Sequence, residues 1–481
     1  MRKLKKVMAL SLALAMGASL VACGGDTAST DTEATEATEA AEETEASEES
    51  EANEETAKAE ADLSADGKVL NIQCWNDEFA RRLTAHYPGY EANDPDDATA
   101  GGKIGDIEVK FTVTPSDDNA YQNKLDQVLP GNADAADDDK VDLFLVEADY
   151  ALKYVNTDLT KPVSDLGIDD SELSAQYKYT KDIVTDSNGN LKGVSWQGCP
   201  GVLIYNREAA KEILGADDPD TVQAAVSDWD TYNETAKKVV EAGYKMTATA
   251  NDTFRVFSDN VSTPWVVDGK ITVDDNIKKW VDMSKEQVDA KICGTGDLWG
   301  DEWSAGFYPD GKVFCYFGPA WLIDFCMAAD DSASIAAAGG WGATEGPQGF
   351  SWGGTWICAA EGTDNPALVA DIIRKLTVDT DIMLDIVKQD NDFVNNKPAM
   401  EQMAADSSYG DAVLGGQNAL AMFAAGADKI DKSNISEYDQ GCTESFQAAM
   451  KDYFEGNTAT YEEALDAFYK SVTEKYPELT Y

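Results

Sequence analysis

Apolar and polar residues follow two regular patterns along the chain from about residue 66 onward. Short runs rich in Val, Ile, Leu and Phe predict strands at Lys68–Trp75, Ile107–Val113 and Val141–Val146. Between these runs, apolar residues return every three to four positions at Phe79–Tyr87 and Tyr121–Leu129, which is the spacing of an amphipathic helix. Strands that alternate with helices predict an α/β domain with mainly parallel strand pairing.

The second half of the chain carries the same two patterns and no tandem repeat. Ser227 and Asp228 are suited to cap one predicted helix, and Pro366 suits the first turn of another. The folded region of about 415 residues, with ample apolar side chains, is long enough for two lobes. Apolar runs lie at 191–196 and 202–205, further strands are predicted at 312–317 and 353–359, and further helices are predicted at 207–214, 229–242, 365–376 and 461–475.

The first 22 residues have the composition of an export signal. Four basic residues precede the run Val7–Leu20, which is too short to span a bilayer but typical of a secretory signal peptide. The run ends in Leu-Val-Ala-Cys at 20–23, which resembles the bacterial lipobox, where the cysteine is acylated and becomes the new N-terminus. The sequence therefore predicts a signal peptide at 1–22 and lipidation of Cys23. The alternative is an ordinary signal peptide followed by an unrelated cysteine.

Residues 23–65 differ from the segments on both sides of them. They are rich in Glu, Asp, Ala, Thr and Ser and contain no aromatic residue. Such a segment cannot bury enough apolar surface to offset the entropy of an ordered chain, so we expect an acidic disordered tether. As a coil, about 42 residues would span roughly 35 Å, and repulsion between the charges would extend them further.

The charge of the chain limits its partners. With 38 basic and 89 acidic residues, the formal net charge is −51. Such a protein repels nucleic acid and anionic lipid surfaces. We therefore expect no nucleic-acid partner, and contact with a membrane only through the lipid anchor.

Residues that serve metal sites and enzymes are scarce. The chain has eight cysteines, no C-x-x-C pair and a single histidine, so we expect no metal site and no cofactor. His86, beside Tyr87 and Pro88, is expected at the surface or in a turn. There is no G-x-S-x-G elbow, P-loop or H-E-x-x-H motif. Glycoside hydrolysis needs only two carboxylates, so that class stays open in an acid-rich chain.

Tryptophans and short polar residues gather at the predicted strand ends. Trp75-Asn76-Asp77-Glu78 directly follows the first strand, and Glu147 and Asp149 follow the third. In α/β sheets, ligands bind at the carboxyl ends of the strands. A sugar ring has an apolar face that packs on an aromatic ring and an edge of hydroxyls that binds carboxylates and amides. The pattern favours a carbohydrate site, although each tryptophan alone could be a core residue.

The order of these segments resembles the extracellular solute-binding proteins of carbohydrate ABC transporters, the maltose-binding-like group. The resemblance extends over about residues 66–481. No single motif is diagnostic of the family, but the motifs are specific in combination. It is carried by the lipobox, the acidic tether and four motifs: W-N-D-E-F at 75–79, G-V-S-W-Q-G-C-P-G-V-L-I-Y-N-R at 193–207, F-G-P-A-W at 317–321 and W-G-G-T-W-I-C-A-A-E-G-T-D-N-P-A at 352–367.

The resemblance implies an α/β, two-lobed periplasmic-binding-protein-like fold. Strands cross between the lobes, and the ligand lies in the cleft between them. The insert at 88–105 departs from better-known members. The implied boundaries are 66–195 for the first part of the N-terminal lobe, 196–350 for the first part of the C-terminal lobe, 351–395 for the segment that returns to the N-terminal lobe, and 396–481 for a helical segment packed mainly on the C-terminal lobe.

The resemblance also implies which residues bind the ligand. No family equivalent is assigned to Trp299 and Trp303, which are additional aromatic candidates. The implied ligand-binding residues are Trp75, Asn76, Asp77, Glu78, Glu147, Asp149, Trp196, Gln197, Trp321, Gly353, Gly354 and Trp356.

These inferences predict a monomeric, lipid-anchored binding protein on the extracellular face of the cytoplasmic membrane. It would capture a mono- or oligosaccharide and deliver it to the permease subunits of an ABC importer, without catalysis. One alternative is a surface-tethered carbohydrate-active enzyme. The other is the same fold binding a non-sugar solute, such as a peptide or a polyamine, which the negative charge would suit.

Overall fold

The computed structural model describes residues 67–328 and 331–481. The predicted signal peptide at 1–22, the lipidation site Cys23 and the whole predicted tether at 23–65 lie outside these ranges. Gly67 is the first of these residues, and its backbone N–H donates to the carbonyl of Asp364 at 3.2 Å. The start of the folded region is thereby attached to the loop before a late helix.

The first lobe is built on a seven-stranded sheet. Its strand order is β2-β3-β4-β1-β5-β13-β6, so a strand from late in the chain lies between two early ones. The strands of this sheet are β1 (Val69–Cys74), β2 (Tyr90–Ala92), β3 (Gly102–Ile104), β4 (Ile107–Val113), β5 (Val141–Glu147), β6 (Val194–Ser195) and β13 (Thr355–Ala359).

Helices cover this sheet. In the first of them, Phe79 and Leu83 lie four residues apart and both are fully buried, as the apolar spacing requires. The helices of the first lobe are α1 (Glu78–His86), α2 (Ala120–Val128), α3 (Ala151–Val155), α4 (Lys178–Asp182), α11 (Pro366–Thr377) and α12 (Thr380–Asp390).

The second lobe is built on a smaller antiparallel sheet. The long strand β7 lies at its centre, flanked by β10 and β11, and β12 pairs with the beginning of β7. A separate hairpin is formed by β8 and β9. The strands of this lobe are β7 (Pro200–Asn206), β8 (Val266–Val267), β9 (Lys270–Ile271), β10 (Cys315–Gly318), β11 (Trp341–Thr344) and β12 (Phe350–Ser351).

The helices of the second lobe form a layer against this sheet and a separate helical core. Asn206 begins the first helix by accepting the backbone N–H groups of Glu208 and Ala209, and Asp228 caps the third. A π-helical segment, Leu322–Met327, follows β10. The helices are α5 (Arg207–Leu214), α6 (Pro219–Ala225), α7 (Trp229–Glu241), α8 (Phe254–Ser258), α9 (Asp275–Asp289), α10 (Asp301–Ala305), α13 (Lys397–Ala404), α14 (Leu420–Ala427), α15 (Asp439–Glu455) and α16 (Tyr461–Lys475).

Three chain segments connect the lobes. Residues 196–199 lead from β6 to β7, and residues 352–354 lead from β12 back to β13. Residues 391–396 run beside the first of these, since Asn395 donates its backbone N–H to the carbonyl of Trp196 at 2.7 Å. Each segment contains positive φ angles, at Cys199 (φ 51°), at Gly353 and Gly354, and at Asn391 (φ 53°).

Two sequence predictions were wrong. Among the named strands, only β4-β1-β5 pair in parallel, whereas the outer pairs of the first sheet and the strands of the second sheet are antiparallel. His86 is not at the surface: its side chain is buried at the end of α1, with ring nitrogens 2.9 Å from an oxygen of Asp385 and 2.7 Å from one of Asp390. The insert at 88–105 forms the β2-β3 hairpin, which the pattern did not predict.

Within the two described ranges, none of the helices is both long enough and apolar enough to cross a bilayer.

Replacing Gly201 by Ala should destabilise the second lobe. A Cβ atom at Gly201 would overlap the ring of Phe350, its partner in the β7–β12 pair. Overpacking of this kind costs about 1–3 kcal/mol of unfolding free energy, which urea denaturation would measure. Gly349→Ala is the matched control, because the nearest atoms to its Cβ position lie 3.8 Å away. Equal effects of the two changes would contradict this account of the packing.

Candidate functional site

The strand register brings the predicted ligand residues to one edge of the first sheet. β1 and β5 are parallel, so Trp75 and Glu147 lie at neighbouring carboxyl ends. β13 is antiparallel to β5 with Thr355 opposite Glu147, so Gly354 lies at the same edge. This edge faces the second lobe, because both crossing segments leave the sheet there. The space between this edge and the second lobe is the cleft.

The loop after β1 presents an indole and begins a helix. Trp75 is half-buried, with its ring edge-on to Tyr121 at a centroid distance of 5.5 Å. Asn76 accepts the backbone N–H of Glu78 at 3.1 Å, which fixes the start of α1. Asp77 lies 3.3 Å from the guanidinium of Arg81 in an exposed pair. Trp75 is thus available to a solute, whereas Asn76 mainly shapes the loop.

A polar network joins this loop to the first and third crossing segments. Gln197 donates its amide N–H groups to Glu78 at 2.6 Å and to Asp392 at 3.2 Å. Arg82 lies 3.3 Å from the same oxygen of Asp392. Burial raises the pKa of Glu78 to about 7, against the opposing effect of the nearby Arg82 charge. The sequence predicted Glu78 and Gln197, but it gave no signal for Arg82 or Asp392.

On the next strand end, a carboxylate of the first lobe is bound by the second lobe. Asp149 accepts two hydrogen bonds from the guanidinium of Arg255, one of them 2.6 Å long, and Arg255 belongs to α8. Glu147 accepts the backbone N–H of Asp149 at 2.8 Å. Burial raises the pKa of Glu147 to about 8, and the charge of Asp149 adds to this effect. Asp149 is therefore already engaged across the cleft.

A second pair of contacts between the lobes lies on the same side. The amide of Gln122 in α2 donates to Gln440 in α15 at 2.8 Å, and Gln440 in turn donates to Asn119 at 3.3 Å. Beside the Arg255 contact is a shallow recess, lined among others by Asp259 and Lys432, which form an ion pair at 2.5 Å. The recess does not extend to the tryptophans of the cleft.

The second lobe places an indole over the returning crossing segment. Trp321 is half-buried and donates its indole N–H to the carbonyl of Trp352 at 3.0 Å. At Gly353, with φ 69°, a Cβ atom would lie 3.5 Å from the Trp321 nitrogen and 3.7 Å from an oxygen of Glu147. Trp321 of one lobe and Glu147 of the other therefore both border the space beside this glycine. Gly354, with φ 111°, continues the same close approach.

Two predicted ligand residues lie in the core rather than at the cleft surface. Trp196 is fully buried, 5.7 Å from the ring of Phe79. Trp356 is 2% exposed and donates its indole N–H to the carbonyl of Thr180 at 2.8 Å. In this conformation neither ring offers a face to a solute, so neither belongs to the surface that lines the cleft.

Trp299 and Trp303, the two additional aromatic candidates, differ in their exposure. Trp299 is half-buried and stacks nearly parallel to Trp321, with a centroid distance of 5.9 Å and an interplanar angle of 13°. Trp303 is 2% exposed, and its indole N–H donates to Asp252 at 2.8 Å. Trp299 thus adds to the aromatic surface of the cleft, and Trp303 supports it from behind.

Carboxylates near the cleft are held by cations, amides and backbone N–H groups. Among the residues of the described ranges, no three His, Cys, Asp or Glu side chains are grouped to hold a metal ion. The seven cysteines in these ranges are free thiols, and all but Cys326 are buried.

The sequence matches one family of known proteins. Residues 98–414 match the family model described as "Bacterial extracellular solute-binding protein". No curated protein sequence matches the chain.

Solved structures resemble the whole described region. A structure described as an extracellular solute-binding protein of family 1 has a TM-score of 0.66 and 17% identity, over 84% of this chain and 99% of that chain. An ABC transporter-associated binding protein from B. animalis subsp. lactis, in complex with β-1,6-galactobiose, has a TM-score of 0.61 and 18% identity, over 86% and 99%. The galacto-N-biose-/lacto-N-biose I-binding protein from Bifidobacterium longum has a TM-score of 0.63 and 14% identity, over 86% and 100%. These similarities confirm the predicted fold.

Stability should depend on pH because several buried carboxyl groups bind protons more tightly in the folded protein. Burial raises the pKa of Glu78 and Asp252 to about 7 and that of Glu147 to about 8. A carboxyl whose pKa is higher in the folded than in the unfolded chain takes up protons on folding, so the unfolding free energy falls as pH rises through that range. We expect a decrease between about pH 5 and about pH 8 in urea denaturation.

Glu147→Gln should reduce this pH dependence. Removing one titrating group lowers the slope by at most about 1.4 kcal/mol per pH unit, and the reduction should extend up to about pH 8. An unfolding free energy that increases from about pH 5 to about pH 8 would contradict the burial of these groups.

Arg255→Gln should favour a more open arrangement of the lobes. The change removes both charge-assisted hydrogen bonds to Asp149 and leaves that carboxylate half-buried without its partner. We expect a larger radius of gyration in small-angle X-ray scattering and a loss of about 1–3 kcal/mol of unfolding free energy. Lys278→Gln, which breaks the exposed pair with Asp282 inside α9, is the control. The idea fails if both variants scatter like the wild type.

Proposed function

The chain belongs to the family of bacterial extracellular solute-binding proteins, and we propose that it captures a neutral mono- or oligosaccharide in the cleft for an ABC importer. Membership makes it a solute-binding protein rather than an enzyme. The proposal adds the class of solute and the transporter to which it is delivered.

The observation that carries the proposal is that Trp321 and Glu147 both border the space beside Gly353. An indole face suits the C–H face of a pyranose ring, and a carboxyl group beside it suits the hydroxyls at the ring edge. The two groups come from different lobes, so a ring held between them would contact both. Trp75 supplies a further indole on the first lobe, and Gln197 with Glu78 supplies amide and carboxyl groups.

Two of the similar solved structures support a sugar as the solute. One is described in complex with β-1,6-galactobiose and the other in complex with lacto-N-biose. Their low sequence identity limits the comparison to the fold, so the proposal rests on the residues of this cleft. The ion pair of Arg255 with Asp149 is assigned to holding the lobes together.

Isothermal calorimetry against a panel of β-1,6-galactobiose, lacto-N-biose, maltose, short peptides and spermidine tests the solute class. We expect at least one sugar to bind and to change the intrinsic tryptophan fluorescence. Trp321→Ala should weaken that binding by roughly 30- to 150-fold, because it removes about 2–3 kcal/mol of apolar contact. Trp229→Phe is the control, since Trp229 stacks on Phe257 inside the second lobe, at 4.4 Å. Binding of peptides or spermidine without any sugar would refute the proposal.

We further propose that Cys23 carries a lipid and that residues 23–65 form the tether between the lipid and the lobes. The support is the lipobox-like sequence and the composition of the segment, both read from the sequence. A tethered binding protein stays close to a permease in the same membrane and can still reorient.

Metabolic labelling of cells with an alkyne fatty acid tests the anchor. Wild-type protein should take up the label and stay with the membrane fraction. Cys23→Ser should lose the label, whereas Cys326→Ser should keep it, because Cys326 is a free thiol within the second lobe. Equal labelling of the wild type and Cys23→Ser would refute the anchor.

A further inference from the structure

Trp299 lies in a glycine-rich loop, residues 294–300, between the second-lobe helices α9 and α10. Its ring is part of a group of four indoles. It stacks on Trp321 at 5.9 Å, and its centroid lies 6.1 Å from that of Trp352 and 5.2 Å from that of Trp303. Because Trp321 faces the first lobe above Gly353, the half-buried ring of Trp299 extends the same aromatic wall.

The backbone of Trp299 is in a strained conformation. Its φ angle is +70°, in the left-handed region that a bulky side chain disfavours. Of the nine non-glycine residues with positive φ in the described ranges, it is the only aromatic one. Such strain persists only where the surroundings enforce it, and it concentrates at ligand sites.

Contacts with neighbouring elements hold the loop in this conformation. Gly296 donates its backbone N–H to Glu302 at 3.1 Å, and Glu302 is paired with Lys245 at 2.6 Å. Both carboxylate oxygens of Asp297 accept hydrogen bonds of 2.8 Å from the ammonium group of Lys451 in α15. The loop is thereby anchored to two elements while the ring is aimed at Trp321.

Core packing alone does not explain this arrangement. Trp303, four residues later, shows what a packing tryptophan looks like here, because it is 2% exposed and its N–H is bonded to Asp252. Trp299 keeps part of its surface exposed beside the cleft and requires a disfavoured backbone to do so.

From the stacking and the strain together, we propose that Trp299 is a solute-contacting residue that, with Trp321 and Trp352, forms one aromatic subsite for a sugar ring. The proposal rests on the proposed function, because it assumes a sugar in the cleft. The strained loop orients the indole, so that the subsite is already formed before the solute binds. A solute with an extended apolar ring face would gain most from it.

Two substitutions at this position distinguish the contribution of the indole ring from the effect of the strained backbone. Trp299→Ala and Trp299→Gly both remove the indole, but only glycine relieves the left-handed backbone. Both variants should bind the best sugar of the panel at least tenfold more weakly than the wild type. Trp299→Gly should melt at a higher temperature than Trp299→Ala. Trp299→Phe, which keeps an aromatic face, should stay within about fivefold of the wild-type affinity.

Lys291→Gly is the matched control. Lys291 is exposed, follows α9 and has φ 60°, so glycine relieves the same kind of strain away from the cleft. It should raise the melting temperature and leave the affinity unchanged. Circular dichroism would verify that all variants are folded.

The outcomes distinguish this inference from the proposed function. If the wild type binds no sugar, the proposed function fails and this inference fails with it. If the wild type binds a sugar and both Trp299→Ala and Trp299→Gly bind it equally well, only this inference is overturned. An affinity that increases in both variants would show that Trp299 covers the platform of Trp321, which also overturns it.

Discussion

The close approach of the two lobes above Gly353 and Gly354 is the constraint on which the cleft depends. Both glycines have positive φ angles, 69° and 111°, and a side chain at Gly353 would enter the space between Trp321 and Glu147. The turn that they make lets the chain leave the second lobe after β12 and enter the first sheet as β13. Because β13 pairs with β5, the same turn places Glu147 at the edge that faces Trp321.

Electrostatics add a second constraint, because the chain is strongly acidic and few cations are placed between the lobes. Arg255 binds Asp149, and Lys432 binds Asp259, which also accepts the backbone N–H of Ser351, the last residue of β12. Breaking such pairs leaves a carboxylate without its partner, which costs more than forming the pair gains. Arg255 therefore holds the second lobe to the first, and Lys432 pairs with the Asp259 carboxylate that binds the end of β12.

The local elements were largely predictable and their assembly was not. The helix at 461–475 and the strand at 107–113 begin and end where the apolar spacing predicts, since that spacing is a property of neighbouring residues. Pairing direction depends on chain segments far apart, so the antiparallel position of β13 left no local signal. For the same reason Arg255, whose partner lies 106 residues away, could not be found from the sequence. A tryptophan at a strand end points to the core or to the cleft according to its register, which separates Trp356 from Trp75.

The protonation of the cleft carboxyl groups bears on the kind of solute that suits them. Asp149 is held by Arg255, so the groups left to bind a solute include Glu147, Glu78 and the amide of Gln197. Burial and the charge of Asp149 raise the pKa of Glu147, which favours its protonated form, and a protonated carboxyl donates its O–H as well as accepting a hydrogen bond. Burial raises the pKa of Glu78 in the same direction, against the opposing charge of Arg82. A cationic solute would have to drive the loss of these protons, whereas a sugar hydroxyl can both donate and accept and so fits either form. The same burial that makes ionised carboxylates costly thus favours a neutral polyhydroxylated solute in this acidic protein.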